Sequence, residues 1–153
     1  MQDYFHHLYS LLHRKLPFYG SGLEESMERI PEEHLHEYVG HRSIAQLLEH
    51  MIIWRDDLAR RLLGETRQKI ELNGPLDWPT PDVNKTKAEY LAAFAAITVR
   101  IKKGIDQFDY AKLHDPLHPD YDYTNVDLLE GSALHDIYHI GQINFIASIL
   151  KNR

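Results

Sequence analysis

The sequence predicts an all-α fold built as a bundle of four main helices. Three observations support this prediction. Apolar residues recur at helical spacing along most of the chain. A Ser or Thr followed three positions later by Gln, Glu or Asp, the order of a capping box, precedes three of the apolar stretches. The segments between them show no strand-like alternation and no repeat. The 153 residues are enough for one core, so we expect a single domain over residues 1–153.

Pro17 and the two glycines after it interrupt the first helical pattern, which covers residues 3–16. A short helical pattern resumes over residues 23–30 and ends at Pro31. The first helix is therefore expected to be kinked or split.

The second helix begins after Ser43, whose partner in the capping pattern is Gln46, and its apolar stripe runs to Gly64. Residues 65–84 are rich in glycine and proline and predict a long surface connection.

Thr86 and Glu89 predict the cap of a third helix that ends near Gly104. A second long connection, residues 106–125, is rich in Asp, Tyr and Pro.

Thr124 and Asp127 predict the start of a fourth helix that extends to about Leu150. This helix is apolar on nearly every side, which is typical of the centre of a bundle. We expect Gly131 and Gly141 to let neighbouring helices approach it closely.

Composition excludes several classes of function. With 43% hydrophobic and 26% charged residues, the chain resembles an ordinary soluble protein. It has no cysteine, which removes disulfides, thiolate ligands and cysteine nucleophiles and fits the reducing cytoplasm. No apolar run suits a signal peptide or a membrane span. The net charge of −6 and the scattered basic residues disfavour nucleic-acid binding.

The 11 histidines are the unusual feature of the composition. His135 and His139 lie four residues apart on the fourth helix, so both imidazoles can bind one ion. Chance alone would produce roughly 0.8 such pairs, and the chain has two. The other pair, His114 and His118, is flanked by prolines that exclude a regular helix, so we expect it in a loop.

A third ligand is available from the second helix, where His50 lies at the flank of the apolar stripe near Trp54. Three imidazoles would leave a fourth coordination position open, as in catalytic zinc sites. Zinc, nickel and iron(II) all suit nitrogen ligands. The alternative is that each histidine is simply packed or partly exposed.

Two further residues are weaker candidates for the site. Asp57, two turns beyond His50, is either a general base, a hydrogen-bond acceptor for a ligand, or ordinary helix-surface charge. Gln142 faces the same sector as His139 and either bonds a metal-bound water or serves as a core amide.

Trp54 is expected in the core, and His6, His7 and His13 are expected to be solvated or packed. The loop over residues 115–123 either covers the mouth of the pocket, lies on the surface or forms a dimer contact.

The segments SIAQLLEHMIIWRDDLARRLLGE and LLEGSALHDIYHIGQINFIASIL resemble the DinB/YfiT-like family. In that family a histidine of the second helix and an H-x-x-x-H pair of the last helix bind the metal. The matching residues here are His50, His135 and His139, followed by the GQI of residues 141–143.

The resemblance implies an antiparallel four-helix bundle with a long crossover, a homodimer, and a member that transfers a low-molecular-weight thiol. The sequence departs from the family at Pro17, Gly20 and Gly22, where the first helix should be regular.

Three functions remain open from the sequence. The leading hypothesis is a metal-dependent transferase that activates an external thiol for attack on a small electrophile, with zinc or nickel as the expected metal and iron or manganese as further candidates. The second is a hydrolase of small esters or amides that uses metal-activated water. The third is a non-catalytic dimeric bundle in which a metal only ties helices together.

Overall fold

A computed structural model describes residues 1–11, 20–118 and 121–153. The described chain is mostly helical, which confirms the predicted all-α class. Its five α-helices are α1 (Gln2–Leu11), α2 (Leu23–Arg29), α3 (Ile44–Leu63), α4 (Lys87–Gln107) and α5 (Asn125–Lys151). Two short 3₁₀ helices, Glu32–His34 and Tyr110–Lys112, lie in the connections.

The structure also contains two small antiparallel hairpins, so the expectation of no strands was wrong. The four strands are β1 (Tyr38–Val39), β2 (Arg42–Ser43), β3 (Pro116–His118) and β4 (Tyr121–Thr124). Each has only two to four residues, which is too short for an alternating pattern to be visible in the sequence.

The predicted caps are present at the starts of the three longest helices. Ser43 accepts a hydrogen bond from the Gln46 backbone N–H at 3.1 Å. Thr86 and Thr124 each form a reciprocal capping box with the acidic residue three positions later. Gly64 ends α3 in the left-handed conformation, with φ of 66°.

Four helices surround the core. α3 packs against α4 and α5, and α1 packs against the same two helices from the other side, while the short α2 packs on α5. Buried side chains between them include Tyr9, Leu48, Phe94 and Ile140. The antiparallel order of these four helices stays a prediction.

The first helix can be compared with its prediction only up to Leu11. α1 is described to Leu11, and residues 12–19, with the predicted break at Pro17, lie outside the described residues. α2 starts at Leu23, directly after its N-cap Gly22, and ends before Pro31 as predicted.

Three glycine expectations differ from what the single chain shows. α4 continues through Gly104 to Gln107. Gly104 faces α3 so closely that an added Cβ would lie 2.5 Å from the Cβ of Leu62. By contrast, an added Cβ at Gly131 or Gly141 would meet no described neighbour within 4 Å. Within the described single chain, the close helix approach therefore occurs at Gly104 of α4 and not at Gly131 or Gly141 of α5.

α5 carries an apolar face that the rest of the described chain leaves uncovered. Leu134, Tyr138 and Phe145 are 60%, 62% and 67% exposed. α5 therefore has apolar residues on two sides. One side packs in the core, and the other faces outward. Within the described residues, no helix has the length and apolar character needed to cross a membrane.

Candidate metal centre

Three imidazoles from two helices converge at one point. His50 comes from α3, and His135 and His139 come from adjacent turns of α5. The Nε2 atom of His135 lies 3.0 Å from Nε2 of His50 and 3.0 Å from Nε2 of His139. One ring nitrogen from each of the three lies within 4.8 Å of the others. The structure therefore brings together all three histidines that the sequence singled out as ligands.

These separations fit a shared ion. Two nitrogens bound to zinc at about 2.0–2.1 Å would lie roughly 2.9 Å apart at a right angle and roughly 3.4 Å apart at a tetrahedral angle. The two distances of 3.0 Å lie within that range. Two of the three nitrogen pairs thus already have metal-ligand spacing, and the ligand atoms of the third pair, His50 and His139, lie within 4.8 Å of each other.

Hydrogen-bond partners assign the protons of two of the rings. His50 Nδ1 lies 2.7 Å from the Asp77 carbonyl oxygen and 3.0 Å from its Oδ1, and both atoms only accept. His139 Nδ1 lies 2.6 Å from Oε1 of Gln142, whose amide nitrogen donates to Tyr138. Neutral His50 and His139 thus carry their protons on Nδ1 and turn the Nε2 lone pairs inward.

Without a metal ion, the cluster has too few hydrogens for both nitrogen–nitrogen contacts to be hydrogen bonds. His135 Nε2 can carry one hydrogen, which can reach only one of the two inward lone pairs. At least one of the nitrogen contacts at 3.0 Å therefore has no hydrogen between its atoms. A cation at the centre would satisfy every lone pair at once, which is the arrangement expected of a metal site.

A proton is a poor substitute for that cation. Burial lowers the pKa of His135 to about 4, and the neighbouring His139 and His50 contribute to that lowering through charge repulsion. Burial also lowers the pKa of His139 to about 4, against the opposing effect of its bond to Gln142. The pKa of His50 is lowered by burial as well, although its contacts with Asp77 oppose the shift. The cluster is therefore neutral at pH 7.

Asp77 is a component of the site that the sequence did not reveal. Its carboxylate lies in the long connection between α3 and α4 and is buried. Besides contacting His50, it accepts from Trp54 Nε1 at 2.7 Å and from the Asn73 backbone N–H at 2.8 Å. A carboxylate that orients a ligating imidazole is common in metal sites. No fixed spacing links such a residue to its histidine, so only the acidic residues of the connection could have been noted.

Trp78, the next residue, holds the other side of the same imidazole. Its ring stacks on His50 with the ring centroids 3.9 Å apart and the planes 5° from parallel. The guanidinium of Arg42 lies over Trp78 at 3.8 Å from the ring centroid. The position of His50 is therefore set by a hydrogen bond and a stacked aromatic ring.

A cavity of about 680 Å³ opens beside the three histidines. Its other walls come from α3, from α5 and from both long connections, and they include Trp54, Leu72, Trp78, Leu117 and Tyr123. Leu117 and Tyr123 belong to the segment that was expected to cover the pocket mouth, and they line the cavity.

Of the two weaker candidates for the site, Gln142 contacts the histidine cluster and Asp57 does not. Gln142 bonds directly to His139 and so helps to orient a ligand histidine. Asp57 is engaged by Arg61 at 3.0 Å and by Arg67 at 2.7 Å. Asp57 lines a separate cavity that does not include the three histidines.

Most remaining histidines lie apart from the cluster. His114 is exposed in a turn and His118 is in β3, so the second pair is not helical, as predicted. His6 bonds to Asp106 at 2.8 Å, and His7 is exposed. His13 lies outside the described residues.

A buried ion pair forms part of the cavity floor. Arg55 donates from Nη1 to Asp136 Oδ2 and from Nη2 to Thr98 Oγ1. Both Arg55 and Asp136 are at most 2% exposed. Burial raises the pKa of Asp136, and the adjacent guanidinium opposes that shift. Within the described structure, Asp136 Oδ1 and Arg55 Nε have no hydrogen-bond partner.

Comparison with known proteins agrees with the resemblance seen in the sequence. No curated protein and no solved structure matches the chain. The family model of the DinB superfamily matches residues 21–143, a span that includes His50, His135 and His139. The chain therefore belongs to the DinB superfamily.

Proposed function

We propose that this protein binds one divalent metal ion through His50, His135 and His139 and transfers an external low-molecular-weight thiol to a small electrophile. The observation that carries the metal site is the pair of nitrogen contacts at 3.0 Å that share at most one hydrogen. Zinc or nickel is the expected ion, and iron or manganese is also compatible with imidazole ligands.

When bound, such an ion supplies Lewis acidity that lowers the pKa of a coordinated thiol or water. The chain supplies the geometry. Asp77 and Gln142 hold two imidazoles in the tautomer that binds a metal, and three protein ligands, all of which line the cavity, would leave a further coordination position for a substrate. The sequence contains no cysteine, so any thiol must be a second substrate.

The hydrolase alternative requires a free acid or base beside the reacting atoms. Asp57 is held by two arginines outside this cavity. The described carboxylates that line the cavity are also engaged: Asp77 by His50, Asp127 by Thr124, and Asp136 by Arg55. These contacts favour the thiol reaction, which needs less assistance from a protein base.

Elemental analysis of untagged protein tests the metal site. We expect one transition-metal ion per chain in the wild type and its loss in His50→Ala and in His135→Ala. His114→Ala is the matched control, because His114 belongs to the second H-x-x-x-H pair but is exposed outside the cluster. Absence of metal from the wild type would refute both enzyme functions and leave the non-catalytic bundle.

Turnover of chromogenic substrates distinguishes the two reactions. The metal-loaded protein is assayed with 1-chloro-2,4-dinitrobenzene in the presence and absence of a small thiol, and with 4-nitrophenyl acetate without thiol. Thiol-dependent turnover that disappears in His50→Ala supports the transferase. Ester hydrolysis without thiol, lost in the same variant, would favour the hydrolase. Stoichiometric metal with neither activity, and a large loss of thermal stability on metal removal, would favour the non-catalytic bundle.

We also propose that a second copy of the chain covers the outward face of α5. Gly131, Leu134, Tyr138, Gly141 and Phe145 follow one another at alternating spacings of three and four, the pattern of a helix-packing seam. An antiparallel pair of α5 helices centred on Tyr138 would place Phe145 opposite Gly131 and Leu134 near Gly141. Sedimentation equilibrium is expected to show a dimer that Phe145→Glu converts to a monomer; a monomeric wild type would refute this arrangement.

A further inference from the structure

The cavity beside the histidines has an apolar entrance assembled from two separate connections. Leu72, from the connection between α3 and α4, is 76% exposed, and Tyr123, from β4, is 63% exposed. Both line the cavity, together with the half-buried Trp78, Leu117 and Leu128. The apolar side chains at the entrance thus continue into the wall next to the imidazoles.

Exposed single apolar residues are ordinary, but apolar residues that converge on one concave site indicate a ligand with apolar surface. The cavity volume of about 680 Å³ lies in the middle of the range of about 300–1000 Å³ that is typical of sites for drug-sized molecules.

The charged side chains that line the cavity are already engaged, so they would do little to stabilise a charged ligand body. Asp77 and Asp127 already accept hydrogen bonds from neighbouring residues. Arg55 and Asp136 form a pair, and their unpartnered atoms are buried away from solvent. The described wall that remains accessible is therefore mainly apolar and aromatic.

We infer that the site selects electrophiles whose reactive group is carried on an uncharged alkyl or aromatic body, which lies against Leu72, Trp78 and Tyr123 while the reactive group reaches the histidines. The position of the reactive group rests on the proposed function. The preference for an apolar body rests on the cavity walls alone.

The protein contains a built-in reporter for this inference. Its only two tryptophans, Trp54 and Trp78, both line the cavity, so a change in tryptophan fluorescence reports its occupancy. The metal-free chain is titrated with 1-butanol, 1-hexanol and 1-octanol, which have the same weak head group. Burial of each added methylene is expected to tighten binding about fourfold until the cavity is filled.

Two variants locate the effect. Leu72→Ser combined with Tyr123→Ser is expected to weaken 1-octanol binding about tenfold or more and to flatten the dependence on chain length. Both residues are exposed, so the fold should not depend on them, and circular dichroism checks this. Val99→Ser is the matched control, because Val99 is 68% exposed on α4 and does not line the cavity. Equal weakening by the control, or affinity independent of chain length, overturns the inference.

A zinc-loaded sample separates this inference from the proposed function. Acetohydroxamate and octanohydroxamate carry the same metal-binding head on different bodies. Tighter binding of octanohydroxamate than of acetohydroxamate supports the apolar body. Tighter binding of both compounds to zinc-loaded than to metal-free protein supports the metal site. A chain-length effect without any effect of zinc would uphold the apolar preference and contradict the proposed function.

Discussion

Replacement of Asp77 by asparagine tests whether the connection between α3 and α4 contributes to metal affinity. The Asp77 side chain accepts from Trp54 and from the Asn73 backbone, and His50 shares its Nδ1 proton between the Asp77 carbonyl and carboxylate. The asparagine of this variant would keep the backbone carbonyl and one side-chain oxygen. The other oxygen would become an NH₂ group that faces a donor.

The magnitude follows from those contacts. One buried hydrogen bond is lost and a donor is left unpaired, which costs about 1–3 kcal/mol of unfolding free energy. Loss of a carboxylate that orients a ligating histidine lowers metal affinity by about 10–100-fold. Because the carbonyl still fixes the tautomer of His50, we expect Asp77→Asn near the lower limit, with metal affinity reduced about tenfold and stability reduced by about 2 kcal/mol.

The assay is competition for zinc against a chromophoric chelator, with urea denaturation of the metal-free protein in parallel. Asp82→Asn is the matched control: Asp82 lies in the same connection and is exposed, and among the described residues its side chain accepts hydrogen bonds from Asn84 alone. Zinc affinity of Asp77→Asn within twofold of the wild type would refute the role of this carboxylate. An equal loss in the Asp82 variant would show that the effect is one of general charge.

Three further outcomes are expected. Arg55→Met, which leaves the Asp136 carboxylate buried without its cation, should lower the unfolding free energy by about 3–5 kcal/mol in urea, and adding Asp136→Leu should recover most of that loss; no recovery would contradict the ion-pair explanation. Burial lowers the pKa of both α5 imidazoles to about 4 against about 6.5 when unfolded, so the folded metal-free protein binds fewer protons between these values. Its stability is therefore expected to fall as pH drops from 6.5 toward 4, and a flat urea midpoint across that range would argue against buried neutral rings. Gly104→Ala should cost about 1–3 kcal/mol because the new methyl meets the Cβ of Leu62, and Leu62→Gly in the same chain, which removes that Cβ, should relieve part of this in a double-mutant cycle.

The sequence could predict the three histidines because all of them lie on regular helices. In a helix, a separation of four residues converts directly into a shared face, which placed His135 beside His139. The same angular argument turned His50 toward the core. The caps at Ser43 and Thr86 were predictable for a similar reason, since their hydrogen bonds join residues three positions apart.

The parts that the sequence did not reveal depend on contacts without a period. Asp77 reaches His50 from a connection that has no regular structure, and 27 residues separate the two in the chain. The face of α5 that carries Phe145 was misjudged for another reason. Periodicity shows that a helix has apolar residues on a given side, but it does not show whether another part of the same chain covers that side.

The division between helices and connection also explains how the site can be rigid before any ion binds. The helices fix the backbone positions of the three histidines, and the connection limits how the His50 ring can rotate. Around His50, the Asp77 hydrogen bond fixes one edge of the imidazole and Trp78 covers one face, while Arg42 from β2 covers the far face of Trp78. A ligand side chain that is already ordered loses little conformational entropy when it binds metal, so more of the coordination energy is retained as affinity. The same contacts join the apolar entrance at Leu72 to His50 through one short stretch of chain, so a ligand that packs against the entrance also packs against the segment that orients the metal-binding ring.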